Sequence, residues 1–226
     1  MSFSSYLIYI AILIIVPLLA QAKVKSTYRK HSKIGNSSMM TGAQVARKIL
    51  DDNGLYQVGI EEVRGTLSDH YDPRKKVVRL SSDNYHGHSQ AAAAIAAHEV
   101  GHAIQDAESY AFLRFRHSLV PIASFGDRMS FIFILAGIFL DMMNLVLVGI
   151  VFMAFAVLFQ LVTLPVEFDA SNRAMAQLVS SGVIRNNEER STKKVLNAAA
   201  LTYVAAALVA IAELLRFVLI FLANDD

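Results

Sequence analysis

Long runs of apolar residues alternate with polar segments along this chain. Four apolar blocks stand out, at residues 6–22, 119–140, 145–166 and 196–223. Each supplies about as many apolar residues as a helix needs to cross a bilayer, which is roughly 17–25. The second block is the weakest, because Asp127 and Arg128 interrupt it. The pattern predicts a mainly α membrane protein with about four transmembrane helices.

Basic residues are concentrated in two of the segments that connect these blocks. Residues 23–118 carry 14 of the 21 Lys and Arg residues, and residues 167–196 carry five. Loops rich in Lys and Arg stay on the cytoplasmic side of a membrane. We therefore expect both segments to be cytoplasmic, and the termini and the turn at 141–144 to face outward.

The first block has a second interpretation, as a removable secretory signal. Ala20, Gln21 and Ala22 resemble a small-residue cleavage site. A signal carries its positive charge before the apolar stretch, whereas here Lys23 and Lys25 follow it. Cleavage would also place the basic segments on the outer side of the membrane. We therefore favour a retained anchor.

The polar segment after this anchor has signals of both helices and strands. Thr41 followed by Gln44 has the form of a capping box, which predicts a helix to about Asp52. Residues 23–40 are predicted to be a linker, 65–70 a loop and 71–74 a turn. Short strands are expected at 58–63 and 76–80, and a helix at 89–106.

Five regions follow from this pattern. They are an N-terminal transmembrane anchor (1–22), a small cytoplasmic α+β domain (23–118), a transmembrane hairpin (119–166), a cytoplasmic helical segment (167–195) and a C-terminal transmembrane helix with a short tail (196–226).

Composition excludes several classes of protein. The chain is 54% hydrophobic and 18% charged, whereas soluble domains average about 45–50% and about 25%. It has no Cys, which excludes disulfide scaffolds, thiolate catalysis and iron–sulfur clusters. The net charge of +2 gives no reason to expect a nucleic-acid partner.

The chemistry-bearing pattern is His98-Glu99-Val100-Gly101-His102, inside the helix predicted at 89–106. Two His four residues apart lie on one helical face, so both can reach one zinc ion. The intervening Glu99 is then placed to accept a proton from a water activated by the metal. The alternative is an amphipathic helix whose His residues only satisfy a core.

A catalytic zinc normally has three protein ligands. A third His six residues after His102 is absent, because Gln105 and Glu108 stand where Gly and His would be. Glu167 is the most attractive third ligand, since two crossings separate it from the motif and return the chain to the same side. Its alternative role is a charge favoured at a helix N-terminus. The other candidate ligands are Asp106, Glu108, Asp127 and His117.

Several of these runs, taken together, resemble the YugP-type neutral zinc metallopeptidases of bacteria. The resemblance is carried by residues 81–105 and 164–171, and by shorter matches at 41–43, 71–73 and 78–81. More distantly, the chain is similar to the HtpX-type membrane metallopeptidases, which also place a membrane hairpin between HExxH and a glutamate ligand.

The resemblance implies that His98, His102 and Glu167 bind zinc and that Glu99 is the catalytic base. HtpX-type enzymes usually carry Asp four residues after the ligand Glu, and here that position is Ser171. Asp169 is a candidate for the supporting role, although on a helix it would point elsewhere.

The expected function is that of a membrane-embedded, zinc-dependent endopeptidase of the gluzincin type. One Zn²⁺ per chain would activate water, with Glu99 as general base, at the cytoplasmic face of a bacterial inner membrane. The expected partners are the lipid bilayer and a peptide or membrane-protein substrate. The alternative is a non-catalytic zinc-binding scaffold or adaptor. An intramembrane-cleaving protease is disfavoured, because polar residues at 89–90 and 105–106 bound an apolar stretch too short to cross.

Two further features could serve a protease. The strand at 76–80 could be an edge strand that pairs with an extended substrate, or an ordinary strand of a sheet. Three loop histidines could stabilise an oxyanion or touch the metal, although loop histidines are more often only solvated. These are His70, His86 and His88.

Overall fold

The computed structural model of the chain describes residues 3–223. The predicted tail at 224–226 and the first two residues of the anchor lie outside this range. The helices are α1 (Phe3–His31), α2 (Gly42–Asp52), α3 (Ser82–Tyr85), α4 (Gln90–Ala107), α5 (Ala111–Phe139), α6 (Met143–Ser180) and α7 (Asn186–Ala223). The strands are β1 (Gly59–Val63), β2 (His70–Asp72) and β3 (Val77–Ser81).

Among the described residues, four helices are long and apolar enough to cross a membrane: α1, α5, α6 and α7. They cover the four predicted blocks apart from residue 140, so the expectation of a mainly helical chain with four candidate spans is confirmed. All four continue well beyond the apolar blocks. In particular, α1 extends through residues 23–31, which were expected to belong to a linker. Lys and Arg are good helix formers, and Arg29 and Lys30 lie in the last turn, where the helix dipole favours positive charge.

The chain forms two compact units. Among the described residues, the first contains the apolar ends of the long helices, at residues 3–19, 111–165 and 203–223. Within it, glycines let α5 and α6 approach closely. A Cβ at Gly149 would lie 2.8 Å from the Ser130 carbonyl oxygen, and one at Gly126 would lie 2.9 Å from that of Phe152. Small residues at such contacts are typical of membrane helix pairs.

The second unit, residues 20–110 and 166–202, contains a three-stranded sheet. The strand order is β1-β3-β2, with β1 parallel and β2 antiparallel to β3. The hypothesis that residues 76–80 form an edge strand is therefore wrong, because β3 is hydrogen-bonded on both sides. The missed strand is β2. It has only three residues and directly precedes a turn, so the sequence carries no alternating pattern for it.

Helix α4 is the centre of this second unit. Its alanines, which run from Ala91 to Ala97, are buried, and their small side chains let neighbouring elements pack closely. Helix α2 packs against α4 and begins with the predicted capping box, in which Thr41 and Gln44 bond reciprocally. The hydrophobic core also includes Leu178 from the end of α6. These contacts fix α4 beside the final turns of α6.

Candidate metal centre

Three side chains of the second unit converge on one point. His98 and His102 come from α4, and Glu167 comes from α6. The Glu167 Oε2 atom lies 3.2 Å from His98 Nε2 and 3.6 Å from His102 Nε2. One ligand atom from each of the three lies within 4.8 Å of the others, and no other group of this kind exists among residues 3–223. Two imidazoles and one carboxylate are a donor set that fits zinc.

Local geometry explains why the three residues meet. His98 and His102 are one helical turn apart, and their ring centroids are separated by 4.8 Å. Gly101 faces α6, and a Cβ there would lie only 2.6 Å from the Ala170 carbonyl oxygen. The absence of a side chain at Gly101 therefore lets α4 approach α6 closely enough for Glu167 to reach both rings.

Glu99 lies next to this cluster and is nearly inaccessible, at 8% exposure. Burial raises the pKa of its carboxyl group, because the charged form loses water. The His98 and His102 rings oppose this shift, while Glu167 and Asp69 add to it through charge repulsion. A carboxyl group with a raised pKa is thus held beside the three potential ligands.

Comparison with known proteins identifies the family. Residues 6–222 match the family model described as "Putative neutral zinc metallopeptidase". The chain belongs to this family. It is 56% identical over 207 residues to the "Putative membrane protease YugP" of Bacillus subtilis (strain 168), with 92% of each chain covered. No solved structure matches the chain. The resemblance stated from the sequence is confirmed, and the family implies a zinc cofactor.

In this member of the family, each histidine of the cluster has a partner on its outer nitrogen. His102 Nδ1 lies 3.0 Å from Gln105 Oε1, and His98 Nδ1 lies 3.2 Å from Ser171 Oγ. Gln105 in turn donates from Nε2 to Asp169 Oδ2 at 2.8 Å. Asp169 therefore does reach the cluster, but through Gln105. From the sequence, Gln105 was considered only as the residue that stands where a longer motif has Gly. The signal that could have found it is its position three residues after His102, which places it on the same helical face.

The alternative third ligands are engaged elsewhere or belong to the other unit. Asp106 accepts hydrogen bonds from Tyr71 Oη at 2.7 Å and from Lys76 Nζ at 2.6 Å. Glu108 pairs with Arg173 Nη1 at 2.6 Å. His117 and Asp127 lie in the first compact unit.

The loop histidines are also outside the cluster. His70 Nδ1 lies 2.9 Å from the Ser68 carbonyl oxygen, and His86 Nε2 lies 3.2 Å from Glu62. His88 is exposed.

A groove of about 410 Å³ lies between the end of α6 and the start of α7. Ser171, Met175 and Leu196 line it, together with the charged Glu189 and Lys193. Ser171 is the residue that links this groove to the cluster, because its hydroxyl also contacts the outer nitrogen of His98.

Proposed function

We propose that this chain is a membrane-bound zinc endopeptidase of the gluzincin type, with an HExxH pair and a glutamate as ligands. His98, His102 and Glu167 hold one Zn²⁺, and Glu99 is the general base. One observation carries this proposal: three side chains that can bind zinc converge on one point, with the buried carboxyl group of Glu99 beside them. In the sequence, Glu99 lies between the two histidines of this group. Membership of the zinc metallopeptidase family supports it.

The metal and Glu99 have separate roles in this reaction. Bound zinc supplies Lewis acidity, which polarises the scissile carbonyl group and lowers the pKa of a water to about 7. Glu99 accepts a proton from the attacking water, whose oxygen adds to the carbonyl carbon. Glu99 then delivers that proton to the amine nitrogen as the C–N bond breaks. The low exposure of Glu99 limits competition from bulk water for this proton.

The substrate is a peptide segment, which we place in the groove between α6 and α7. Ser171 supports this placement, because it lines the groove and also contacts His98. The apolar lining residues Met175 and Leu196 fit an apolar side chain. The candidate membrane spans favour membrane-protein or juxtamembrane substrates.

Zinc content and turnover test this function. The detergent-purified protein should hold about one zinc per chain, and His98→Ala and Glu167→Ala should lose it. Glu99→Gln should keep zinc but lose peptide hydrolysis by at least about 100-fold, the usual contribution of a general base. A Glu99→Gln variant that retains full cellular activity would instead favour the zinc-binding scaffold. Full zinc affinity in Glu167→Ala would refute the ligand assignment.

We place the site at the cytoplasmic face of the inner membrane, on the distribution of Lys and Arg. Because the natural chain has no Cys, a single introduced Cys can be labelled specifically. In intact cells, a membrane-impermeant maleimide should label Met142→Cys in the α5–α6 turn but not Thr66→Cys. Both should react after lysis. The opposite pattern would reverse the proposed orientation.

A further inference from the structure

Gln105 is a fully buried polar residue on the inner side of α4. Its side chain has no exposure to solvent. Burying an amide without partners costs free energy, so a buried amide is normally hydrogen-bonded. Here both ends of the amide are hydrogen-bonded. One end contacts the proposed zinc ligand His102, and the other contacts the backbone carbonyl directly before the proposed ligand Glu167.

The surroundings fix the orientation of this amide. Gln105 Nε2 lies 2.8 Å from the Val166 carbonyl oxygen and 2.8 Å from Asp169 Oδ2. Both atoms are acceptors, and Asp169 Oδ2 also accepts from Arg173 Nε at 2.6 Å. The NH₂ group must therefore face them, which turns Oε1 toward His102.

This orientation determines the tautomer of His102. Oε1 can only accept, so His102 Nδ1, at 3.0 Å, must carry the proton. The lone pair of a neutral His102 then lies on Nε2, the atom that faces Glu167. For His98 the partner is the Ser171 hydroxyl, which can either donate or accept. The two histidines thus differ on their outer nitrogens, because Gln105 requires a proton on His102 Nδ1 whereas Ser171 is compatible with either state of His98 Nδ1.

The second contact of Gln105 positions the other helix. Val166 directly precedes Glu167, and its carbonyl oxygen is held by the Gln105 amide of α4. One side chain therefore sets both the orientation of a ligand ring and the distance between α4 and the backbone that carries the third ligand.

We propose that Gln105 is the positioning residue of the metal centre, and that it acts through His102 and through the backbone before Glu167. This inference rests on the proposed zinc site. Removing such an outer partner typically weakens metal binding by about 10–100-fold. Ser171, which makes one contact and imposes no tautomer, should matter less.

Zinc affinity, measured by competition with a chromophoric chelator, tests this role. Gln105→Met preserves volume and removes all three hydrogen bonds of the amide, and should weaken zinc binding by about 10–100-fold. The matched control is Gln177→Met, because Gln177 exchanges amide hydrogen bonds with Asn53 and contacts no ligand. The control should change affinity by less than about threefold. Equal affinities for wild type and Gln105→Met would overturn the inference.

Exchange of the His102 Nδ1 proton with solvent, followed by ¹⁵N-edited NMR on the zinc-loaded protein, provides a second readout. In the wild type this proton is donated to Gln105 Oε1 and should exchange slowly, whereas in Gln105→Met it loses its acceptor and should exchange faster. Equally slow exchange in that variant would contradict the proposed role.

A rescue experiment covers the case in which Gln105→Met does not fold. Gln105→Glu should bind zinc weakly, because it loses the donor to Val166 and brings a second carboxylate against Asp169. Adding Asp169→Asn restores a donor to the pair and should recover part of the affinity. No recovery would count against the inference, whereas a wild-type protein that binds no zinc would refute the proposed function itself.

Discussion

Gly101 offers a sharp test of how helix packing builds the metal centre. In Gly101→Ala the new Cβ would lie 2.6 Å from the Ala170 carbonyl oxygen and 3.2 Å from its carbonyl carbon. Ordinary contact for a Cβ begins at 3.4 Å, so α4 and α6 must move apart by about 0.8 Å. Both contacted atoms belong to the backbone, which leaves no flexible side chain to yield.

The expected effect on stability is small, because two terms oppose each other. Overpacking costs about 1–3 kcal/mol, while replacing Gly by Ala inside a helix returns about 1 kcal/mol. The free energy of unfolding should therefore fall by about 0–2 kcal/mol. The effect on zinc should be larger, since zinc–ligand distances tolerate only about 0.2 Å. A displacement of Glu167 by several times that amount should weaken zinc binding at least about 10-fold, or about 1.4 kcal/mol.

Chelator competition on the purified protein measures this loss, and thermal unfolding of the zinc-free form measures the packing term. Gly35→Ala is the matched control, because a Cβ there would have its nearest neighbours at 3.6 Å and 3.9 Å. That control should bind zinc as the wild type does. If Gly101→Ala also kept wild-type affinity, the close approach at Ala170 would not be what sets the ligand geometry.

Three other predictions follow from the same contacts. Ser171→Ala removes the partner of His98 Nδ1 and should weaken zinc binding less than Gln105→Met does, by about 10-fold at most in the competition assay. Ala176→Trp should fill the groove and raise KM for peptide substrates with unchanged zinc content. The control Asn187→Trp, which is exposed on α7 and outside the groove lining, should leave KM unchanged. Equal KM values for the two variants would exclude the groove as the substrate site. Chelation should lower the unfolding temperature of the wild type, since free zinc at 100 times Kd stabilises by about 2.7 kcal/mol, and calorimetry should find no such change in Glu167→Ala.

Local and compositional features were predictable because they depend on neighbouring residues. The candidate spans follow from long runs that are mostly apolar, and the start of α2 follows from Thr41 and Gln44. The pairing of His98 with His102 follows from the four-residue spacing, since α-helix geometry alone places them on one face. The position of Glu167 was a non-local prediction that rested on the parity of membrane crossings, and the structure places its carboxylate 3.2 Å from His98 Nε2.

Two features that the sequence missed depend on contacts between separate elements of structure. Strand β2 exists only because β3 offers it a partner, and the same pairing places β3 in the middle of the sheet. The role of Gln105 is visible only in the structure, where its amide nitrogen donates hydrogen bonds to the Val166 carbonyl oxygen and to Asp169.

The sequence by itself determined that His98 and His102 share one helical face and which helices are apolar enough for a membrane. Both are properties of composition and of spacing within one helix. Only the tertiary structure decided how closely α4 approaches α6 at Gly101, which partner each histidine has, and where the groove lies. The close approach at Gly101 and the hydrogen bonds of the Gln105 amide nitrogen join α4 to residues of α6 more than 60 positions away along the chain, and no local pattern encodes them.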